Sequence, residues 1–501
     1  MSEFSMSVYE ACRASPRVFV LNPRFRRGNF YFQQLRCLAL VREMVRHGDL
    51  SDAQEQVIVA GAGVAGLTAA AAALSSSFAV QLVEPIGSFA QYAEASHREL
   101  HPNVIAWPFQ RLRAMTNLPF LNWTCAAAPQ VAKQILNQWE RDFAPHATSV
   151  ASAVTAVREV PGGVEVDCKS GETLRAHVAI LATGWSSELP IGDFAGPTYW
   201  SQQAFAPPAD VTISGSGDGG LIDCAFQTYG PAAVAAARVL AHLLDDKPQK
   251  QRIHDAESEA ERLFKTGDVD GAHRKLDDFY SRMTIENEDS KLLAAMARPL
   301  PMKSRLFHLE STAYSPTAAP INKALFSTLT KGAEPKATKS KAKLTEDGSG
   351  NIVADNTMPP TVLDTRRLLV RHGAKAAAWP LLEDAAARAL REVETPSLDS
   401  MVPDEFDKAF YITDVRRQLA PSPVHRAQEF RERGRRQVRE MLAHVAIIPN
   451  ASNDDQEVIL QLRADGERDW IVHGGKNPRR DLKALFPIET DAFTICLDES
   501  E

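Results

Sequence analysis

Three glycines in the spacing G-x-G-x-x-G, Gly61, Gly63 and Gly66, directly follow the apolar run Val57–Ala60. In this pattern the first glycine permits a tight turn from strand to helix, and the second lets the backbone approach a pyrophosphate. The third lets the helix pack against its strand. An alanine-rich helix and a second apolar strand should follow, and that strand leads to Glu84, where an acid can bind a ribose hydroxyl. The stretch therefore predicts a dinucleotide-binding unit.

The same Gly- and Ala-rich run could instead be a membrane helix with a face of small residues. However, Ser75, Ser76 and Ser77 interrupt the apolar run. The order of strand, glycine turn, helix, strand and acid favours the nucleotide-binding unit, so we expect no membrane segment.

A second glycine group repeats the spacing at Gly215, Gly217 and Gly220, after a short strand predicted over Val211–Ser214. Two such turns in one chain are more specific than either alone, and we interpret the second as a nicotinamide-nucleotide site. A competing interpretation takes Gly217 and Asp218 as a Gly-Asp pair that completes the first cofactor site. In that case the chain has no nicotinamide domain, and the residues leave both interpretations open.

A predicted hairpin unit around Pro161–Gly163 lies between the two glycine groups and leads into an apolar strand. That strand ends in Ala182-Thr183-Gly184. In proteins with two dinucleotide sites such a strand passes near the bound cofactor, so Thr183 and Gly184 are candidate cofactor-binding residues. The segment Arg371-His372-Gly373, which follows a strand predicted within Thr361–Val370, could be its counterpart in the second unit.

Length and composition are those of a globular protein with two or three domains. The chain has 501 residues, 44% of them hydrophobic and 24% charged, and its net charge of −7 argues against a general nucleic-acid-binding surface. Its six cysteines include no C-x-x-C pair, which disfavours a zinc site and a dithiol centre, so we expect no metal. Because the N-terminus shows no secretory signal, we expect a cytoplasmic protein.

The predicted fold class is α/β, with four segments. They are an extension over 1–54, a Rossmann-like FAD-binding domain over 55–209, a second dinucleotide-binding domain over 210–375, and a small α+β region over 376–501. This last region is predicted to be helical from about 376, with a tail of short strands over Val445–Pro449, Glu457–Arg463 and Trp470–Val472. The second domain carries a helical insertion at about 231–300, and the strand after it leads to Glu310, which would bind the ribose and favour NADH. A helix begun by proline is predicted over Pro320–Leu329, and residues 331–350 are interpreted as a mobile loop or an exposed hairpin arm.

With these motifs the chain resembles FAD/NAD(P)-binding oxidoreductases with two dinucleotide-binding domains. That group includes flavin monooxygenases, amino-acid N-hydroxylases and pyridine-nucleotide disulfide reductases. The resemblance covers about 55–375, and Leu118–Trp123 looks like the stretch before the long helix of N-hydroxylases. It implies FAD at the first glycine group and NAD(P)H at the second. Disulfide reductase chemistry would require a cysteine pair that the sequence lacks.

Three residues in irregular segments could frame the flavin ring. The indole of Trp123 could stack on it, while the side chains of His101 and Asn122 could form hydrogen bonds to its polar edge. We therefore name His101 and Asn122 as candidate catalytic residues and Trp123 as a cofactor-binding residue. The alternative is that Trp123 is an ordinary core aromatic residue and that His101 is a partly buried histidine with its hydrogen bonds already satisfied.

The expected function is that of an FAD-dependent oxidoreductase in which NAD(P)H reduces the flavin, which then reduces oxygen or a small-molecule acceptor, as in a monooxygenase. One alternative is a non-catalytic FAD/NAD(P)-binding sensor or scaffold in a multi-protein system, such as a bacterial defence system. Its helical insertion or C-terminal tail would then bind a protein partner. Another is a flavin-only oxidase. The sequence does not name the substrate.

Overall fold

The computed structural model describes most of the chain up to residue 382 and two short strands beyond it. The described residues are 3–21, 29–51, 55–85, 96, 98–197, 199, 210–245, 247–297, 303–331, 335–355, 360–376, 378–382, 457–461 and 469–473.

The helices, numbered in chain order, are α1 (Glu3–Cys12), α2 (Phe30–His47), α3 (Val64–Ser75), α4 (Ala128–Asp142), α5 (Asp218–Tyr229), α6 (Ala233–Asp245), α7 (Pro248–Lys265), α8 (Val269–Arg282), α9 (Asn287–Ala295) and α10 (Pro320–Leu329). The strands, numbered likewise, are β1 (Arg13–Ser15), β2 (Val18–Val20), β3 (Gln56–Ala60), β4 (Ala79–Val83), β5 (Glu99–Leu100), β6 (Ala126–Ala127), β7 (Ala147–Val150), β8 (Val154–Val160), β9 (Gly163–Cys168), β10 (Thr173–Ala176), β11 (Val178–Leu181), β12 (Trp185–Glu188), β13 (Val211–Ser214), β14 (Ser304–His308), β15 (Ala337–Lys341), β16 (Leu344–Glu346), β17 (Ile352–Ala354), β18 (Thr361–Val362), β19 (Leu368–Val370), β20 (Ala374–Ala376), β21 (Glu457–Gln461) and β22 (Asp469–His473).

The chain forms two compact units. The first comprises Met1–His97, Met115–Ser187 and Ala374–Val424, and the second comprises Arg98–Ala114, Glu188–Gly373 and His425–Glu501. Each unit has its own parallel sheet, which confirms the predicted α/β fold class.

The first unit is built on a sheet in which β2, β11, β3, β4 and β7 run parallel in that order, with β1 antiparallel at the edge. Strands buried on both faces need uninterrupted apolar runs rather than alternation. The run Val57–Ala60 is such a sequence, and all four residues are buried. The N-terminal extension also belongs to this unit, because β2 extends its sheet and α2 packs on α3.

A small antiparallel sheet of β10, β9 and β8 precedes β11 in the chain. The predicted hairpin is confirmed, since β8 and β9 are joined by a tight turn in which Gly162 has a φ of +82°. Val157, Val164 and Val166 on this sheet share one hydrophobic cluster with Ile58 and Leu181. This cluster packs the small sheet against β3 and β11.

The second unit is built on a parallel sheet with the strand order β15, β14, β13 and β19. The predicted helical insertion is present as α6 to α9, between the first helix α5 and the strand β14. A second antiparallel sheet, of β16, β17 and β18, precedes β19 in the chain. We call β19 the return strand, because it brings the chain back to pair with the first strand β13.

Within residues 331–350, β16 pairs with β17 as one strand of an antiparallel hairpin, as the hairpin-arm interpretation expects, but that interpretation was wrong for 337–341. Instead, β15 adds the outermost strand to the parallel sheet, in register from Ala337 opposite Ser304 to Lys341 opposite His308. The strand was missed because its sequence is polar. It is an edge strand, and its Lys339 covers the ring of Tyr314 with the ammonium 4.8 Å from the ring centroid.

The two units repeat one plan that the sequence does not reveal as a repeat. In the first unit the return strand, first strand, second strand and third strand are β11, β3, β4 and β7. In the second unit they are β19, β13, β14 and β15. In both units an antiparallel three-stranded sheet lies in the chain between the third strand and the return strand. The first helix of each unit therefore begins at the same edge of its sheet.

The C-terminal region is described only in part. The strands predicted near 457 and 470 are confirmed as β21 and β22, which form an antiparallel pair. The helical segment predicted after about 376 and the strand predicted over Val445–Pro449 lie outside the described residues. Within the described ranges, no helix has the length and apolar character needed to cross a bilayer.

Candidate functional site

The first glycine turn has the close backbone contacts that the motif requires. Gly61 has a φ of +104°, and a Cβ there would lie 2.5 Å from the carbonyl oxygen of Ala182. A Cβ on Gly66 would lie 1.7 Å from the oxygen of Gly61. These two glycines are therefore required by the protein itself.

Gly63 differs from the other two, because a Cβ there would meet nothing within 4 Å. It is the N-cap residue of α3, in an extended conformation, and no side chain caps this helix. Uncapped N–H groups and the helix dipole together favour an anion at this end. The open space over Gly63 is therefore where the structure can accept a pyrophosphate.

Glu84 and Thr183 lie beside this turn. The Oε2 of Glu84 accepts a hydrogen bond from the backbone N–H of Ala62 at 2.8 Å, which places the acid at the turn. The hydroxyl of Thr183 is buried and has no hydrogen-bond partner within the described part of the chain. A buried hydroxyl without a partner is costly unless a ligand satisfies it. These residues and the open turn fit a dinucleotide such as FAD.

The second glycine turn has nearly the same geometry in its own sheet. Gly215 has a φ of +119° and donates its N–H to Phe307 at 2.9 Å, as Gly61 donates to Val83 at 2.8 Å. A Cβ on Gly220 would lie 1.9 Å from the oxygen of Gly215. Gly217 is an uncapped N-cap residue with nothing within 4 Å of a Cβ. The second turn is thus equally open to a phosphate.

The return strand of the second unit also matches the first. A Cβ on Gly215 would lie 2.1 Å from the carbonyl oxygen of Arg371, which follows β19 as Ala182 follows β11. Arg371 donates its N–H to Ser214 at 2.7 Å, and Ala182 donates to Ala60 at 2.8 Å. This confirms the predicted correspondence between Arg371-His372-Gly373 and Ala182-Thr183-Gly184.

Asp218 has a structural partner in the second unit. Its Oδ1 accepts hydrogen bonds from the backbone N–H of Ala319 at 2.7 Å and from the side chain of Asn322 at 2.8 Å. The carboxylate therefore stabilises the N-terminus of α10. Its predicted role in cofactor binding stays a prediction.

The strand register places a different residue from Glu310 at the position that Glu84 occupies. Ala60 pairs with Val83 in the first sheet, and Ser214 pairs with Phe307 in the second. The counterpart of Glu84 is therefore His308, and Glu310 lies two residues further on. Glu310 still reaches the turn, because its Oε2 accepts a hydrogen bond from Ser216 Oγ at 2.8 Å.

His101 belongs to the second compact unit and is 5% exposed. Its Nδ1 accepts hydrogen bonds from the backbone N–H groups of Asn103 at 3.2 Å and Val104 at 3.0 Å. Burial, and then the positive charge of Arg238, lower the pKa of His101 well below its ordinary value. The ring therefore acts as a neutral acceptor that holds its own loop, and its catalytic role stays a prediction.

Asn122 and Trp123 belong to the first unit and are held by a network that the sequence analysis missed. The side chain of Asn122 accepts a hydrogen bond from Thr116 Oγ1 at 2.9 Å and donates one to Leu118 O at 2.6 Å. Trp123 is 1% exposed and donates its Nε1–H to Gln34 Oε1 at 2.8 Å. Gln34 also donates to Leu121 O at 2.9 Å. These contacts are those of a core aromatic residue for Trp123 and of a part-buried loop residue for Asn122, and the predicted roles of both at the flavin stay predictions.

A buried charge cluster fixes the return strand of the second unit. Asp223 on α5 accepts a hydrogen bond from Arg371 Nε at 2.6 Å and forms a second ion pair with Arg98. The signal in the sequence is a single acid within the otherwise apolar run Leu221–Phe226, which lies in α5. The cluster holds Arg371 against the helix whose N-terminus forms the glycine turn.

Among the residues that the structure describes, no group of three or more histidine, cysteine, aspartate or glutamate side chains could hold a metal ion. The two glycine turns and the acids beside them are the features on which the proposed function rests.

Comparison with known proteins gives distant likenesses among solved structures. No family model and no curated protein matches the chain. Among solved structures it is similar to the thioredoxin reductase of Lactococcus lactis, with 12% identity, a TM-score of 0.35, and coverage of 65% of this chain and 79% of that one. It is also similar to the bacillithiol disulfide reductase of Bacillus cereus, with 12% identity, a TM-score of 0.38, and coverage of 65% and 79%.

A third similar structure is OTEMO, determined in complex with FAD and NADP. Its identity is 13%, its TM-score is 0.35, and the match covers 66% of this chain and 73% of OTEMO. These likenesses are too distant to carry a function, which must come from the residues of this chain.

Proposed function

We propose that this protein is an FAD-dependent oxidoreductase that uses NAD(P)H as its electron donor. The observation that carries the proposal is the repeated glycine turn. Gly61 and Gly215 make the same backbone contacts, and Gly63 and Gly217 leave the same open space, each in its own parallel sheet. Two separate nucleotide sites are what an enzyme needs that holds a redox cofactor and takes electrons from a second nucleotide.

FAD is assigned to the first turn. The Gly61–Gly66 turn would hold the pyrophosphate at the N-terminus of α3, and Glu84 would bind the ribose of the adenosine half. Thr183 and Gly184 would line the site, where the unsatisfied hydroxyl of Thr183 offers one hydrogen bond. Bound FAD supplies the redox chemistry, while the protein supplies binding and orientation.

The nicotinamide nucleotide is assigned to the turn formed by Gly215, Gly217 and Gly220. This turn follows the first strand, β13, of a parallel sheet that belongs to the second unit alone. A separate sheet supports a nicotinamide domain rather than the alternative, in which Gly217 and Asp218 complete the flavin site. Asp218, the acid that the competing interpretation needs, is bonded to Ala319 and Asn322.

The electron acceptor is proposed to be oxygen or a small molecule of unidentified class, as in a monooxygenase. We place the protein in the cytoplasm and assign it no membrane or nucleic-acid partner. The helical insertion and the C-terminal tail remain the proposed surfaces for any protein partner.

The test is an absorption spectrum of the full-length purified protein, followed by anaerobic addition of NADH and, separately, NADPH. We expect a flavin spectrum that one or both nucleotides bleach. The matched control is Gly63→Ala, because the structure has room for the added Cβ but a bound pyrophosphate would meet it. This variant should fold and bind FAD on the order of tenfold more weakly, a loss of about 1.4 kcal/mol.

Each other outcome selects a different function. Absence of flavin even after reconstitution with FAD would refute the assignment of the first turn. A flavin that neither nucleotide bleaches, but that an organic donor reduces, would indicate the flavin-only oxidase. Bound FAD with no reduction by any donor would indicate the sensor or scaffold.

A further inference from the structure

The second nucleotide turn carries an acid that could distinguish a free ribose from a phosphorylated one. Glu310 is exposed just beyond the end of β14. Its Oε2 accepts a hydrogen bond from the hydroxyl of Ser216, the residue between the first two glycines of the turn, at 2.8 Å. An acid beside the second strand of such a unit binds ribose hydroxyls, whereas a cation there accommodates a 2′-phosphate.

Lys339, one of the two exposed lysines of the neighbouring strand β15, is already paired. Lys339 Nζ lies 2.9 Å from Asp277 Oδ1, and Thr312 donates its hydroxyl to the same oxygen at 2.8 Å. Burial raises the pKa of Asp277, but the hydrogen bonds from Lys339 and Thr312 outweigh it, so its pKa is below the ordinary value. The ionised Asp277 therefore offsets the charge of Lys339.

Two histidines near Glu310 add no positive charge at neutral pH. His308, which ends β14, has its Nδ1 3.1 Å from the backbone oxygen of Glu310, and His273 lies on α8 of the helical insertion. Burial is the largest influence on both rings and lowers the pKa of each, although Glu310 acts in the opposite direction. Lys339 and the two histidines are thus paired or neutral. Lys341 is an exposed lysine opposite His308, but Glu310 is the charged group that is hydrogen-bonded to the turn itself.

We propose that the second site selects NADH over NADPH, with the carboxylate of Glu310 accepting hydrogen bonds from the hydroxyls of the adenosine ribose. The inference rests on the proposed function, since it names the donor for the same site. A 2′-phosphate would lie beside Glu310, and like charges in contact are strongly unfavourable. Ser216 holds the carboxylate toward the turn.

The experiment measures ligand binding and flavin reduction on the full-length protein. Calorimetry compares ADP-ribose with 2′-phospho-ADP-ribose, and anaerobic bleaching compares NADH with NADPH. We expect the unphosphorylated member of each pair to be favoured at least about tenfold. In the variant Glu310→Gln, which keeps the shape and removes the charge, this preference should fall by about tenfold, chiefly because the phosphorylated ligand binds more tightly.

The matched control is Glu288→Gln, which removes the same charge from an exposed acid on α9. Glu288 pairs only loosely with Lys291, at 3.3 Å, and the preference should not change. A second variant, Lys341→Ala, tests whether a cation recognises the ribose instead. It removes the exposed lysine of β15 that lies opposite His308 of β14.

Three results would overturn the inference. A preference for the phosphorylated ligands that Lys341→Ala abolishes would show that a cation, not Glu310, reads the ribose; the proposed function would still stand. Equal preference in the wild-type and Glu310→Gln proteins would likewise remove Glu310 alone. If neither ADP-ribose ligand binds and neither NADH nor NADPH bleaches the flavin, the nicotinamide site itself is refuted, and with it the proposed function.

Discussion

At the scale of single residues, His101 shows how burial can make the stability of the folded protein depend on one side chain at acid pH. Its ring accepts two backbone hydrogen bonds, and its pKa lies well below the ordinary value because of burial and then of Arg238. Below about pH 6.5 the unfolded chain therefore binds a proton at this position that the folded chain does not. The free energy of unfolding must fall as the pH is lowered.

The prediction is that His101 contributes about 1.4 kcal/mol to the loss of stability between about pH 7.5 and 5.5. The variant His101→Asn keeps an acceptor and cannot be protonated, so its unfolding free energy should depend less on pH by that amount. Denaturant unfolding at the two pH values measures the difference. Identical slopes for the wild-type and variant proteins would show that His101 titrates normally in the folded state.

A second residue-scale prediction concerns Asn122, which the sequence analysis named as a candidate catalytic residue. Because its side chain bonds to Thr116 and Leu118, Asn122→Ala should cost about 1–3 kcal/mol of stability. Turnover per bound flavin should stay unchanged at a temperature where the variant is folded. A large fall in turnover with intact flavin content and stability would instead restore the catalytic assignment.

At the scale of elements, a buried ion pair joins the helical insertion to α10 of the second unit. Lys323 on α10 is fully buried, and its Nζ lies 2.6 Å from Glu257 Oε2 on α7. Tyr280 on α8 donates its hydroxyl to the other oxygen of Glu257, and Lys323 also donates to Ser315 O at 3.2 Å. Three helices therefore meet at one pair of charges.

Breaking one partner of this pair should be far worse than replacing both. Glu257→Gln leaves a buried ammonium without its counter-charge, and we expect a loss of about 3–5 kcal/mol in the free energy of unfolding. The double variant Glu257→Leu/Lys323→Met should recover most of that loss, because two apolar side chains need no charge partner. Denaturant unfolding of Glu257→Leu, Lys323→Met and the double variant completes the cycle. Additive losses would mean that the two charges do not depend on each other.

Elements with a strong local signal could be predicted from the sequence, whereas those specified by distant contacts could not. The run Val211–Ser214 and the proline-started helix Pro320–Leu329 have the predicted bounds in the structure. The polar strand β15 has no apolar alternation, so only its pairing with β14 makes it a strand. The role of Gln34 also escaped prediction, because its partner Leu121 is 87 residues away.

At the scale of the whole molecule, the repeated plan explains why the sites were partly predictable. Glycine spacing dictates the turn, so Gly61 and Gly215 could be identified by type and position alone. The acid that faces the second turn could be identified only approximately. The helical insertion obscures the strand register in the sequence. In the structure, His308 rather than Glu310 occupies the position in the second sheet that is equivalent to Glu84 in the first.

The repeat also yields a test of whether the two turns hold different nucleotides. A Cβ at Gly217 meets nothing within 4 Å, so Gly217→Ala, like Gly63→Ala, should fold normally and obstruct only a ligand. If the second turn binds the nicotinamide nucleotide, this variant keeps its flavin and its reduction by dithionite. Its affinity for the nicotinamide nucleotide should fall on the order of tenfold.

Flavin content and the nucleotide dependence of anaerobic bleaching measure both effects, with Gly63→Ala as the reciprocal control. Loss of flavin from Gly217→Ala would support the competing interpretation, in which Gly217 and Asp218 complete the flavin site. Because the two glycines have the same backbone conformation and the same empty surroundings, a difference in which ligand is lost would reflect the ligands and not the stability of the turns.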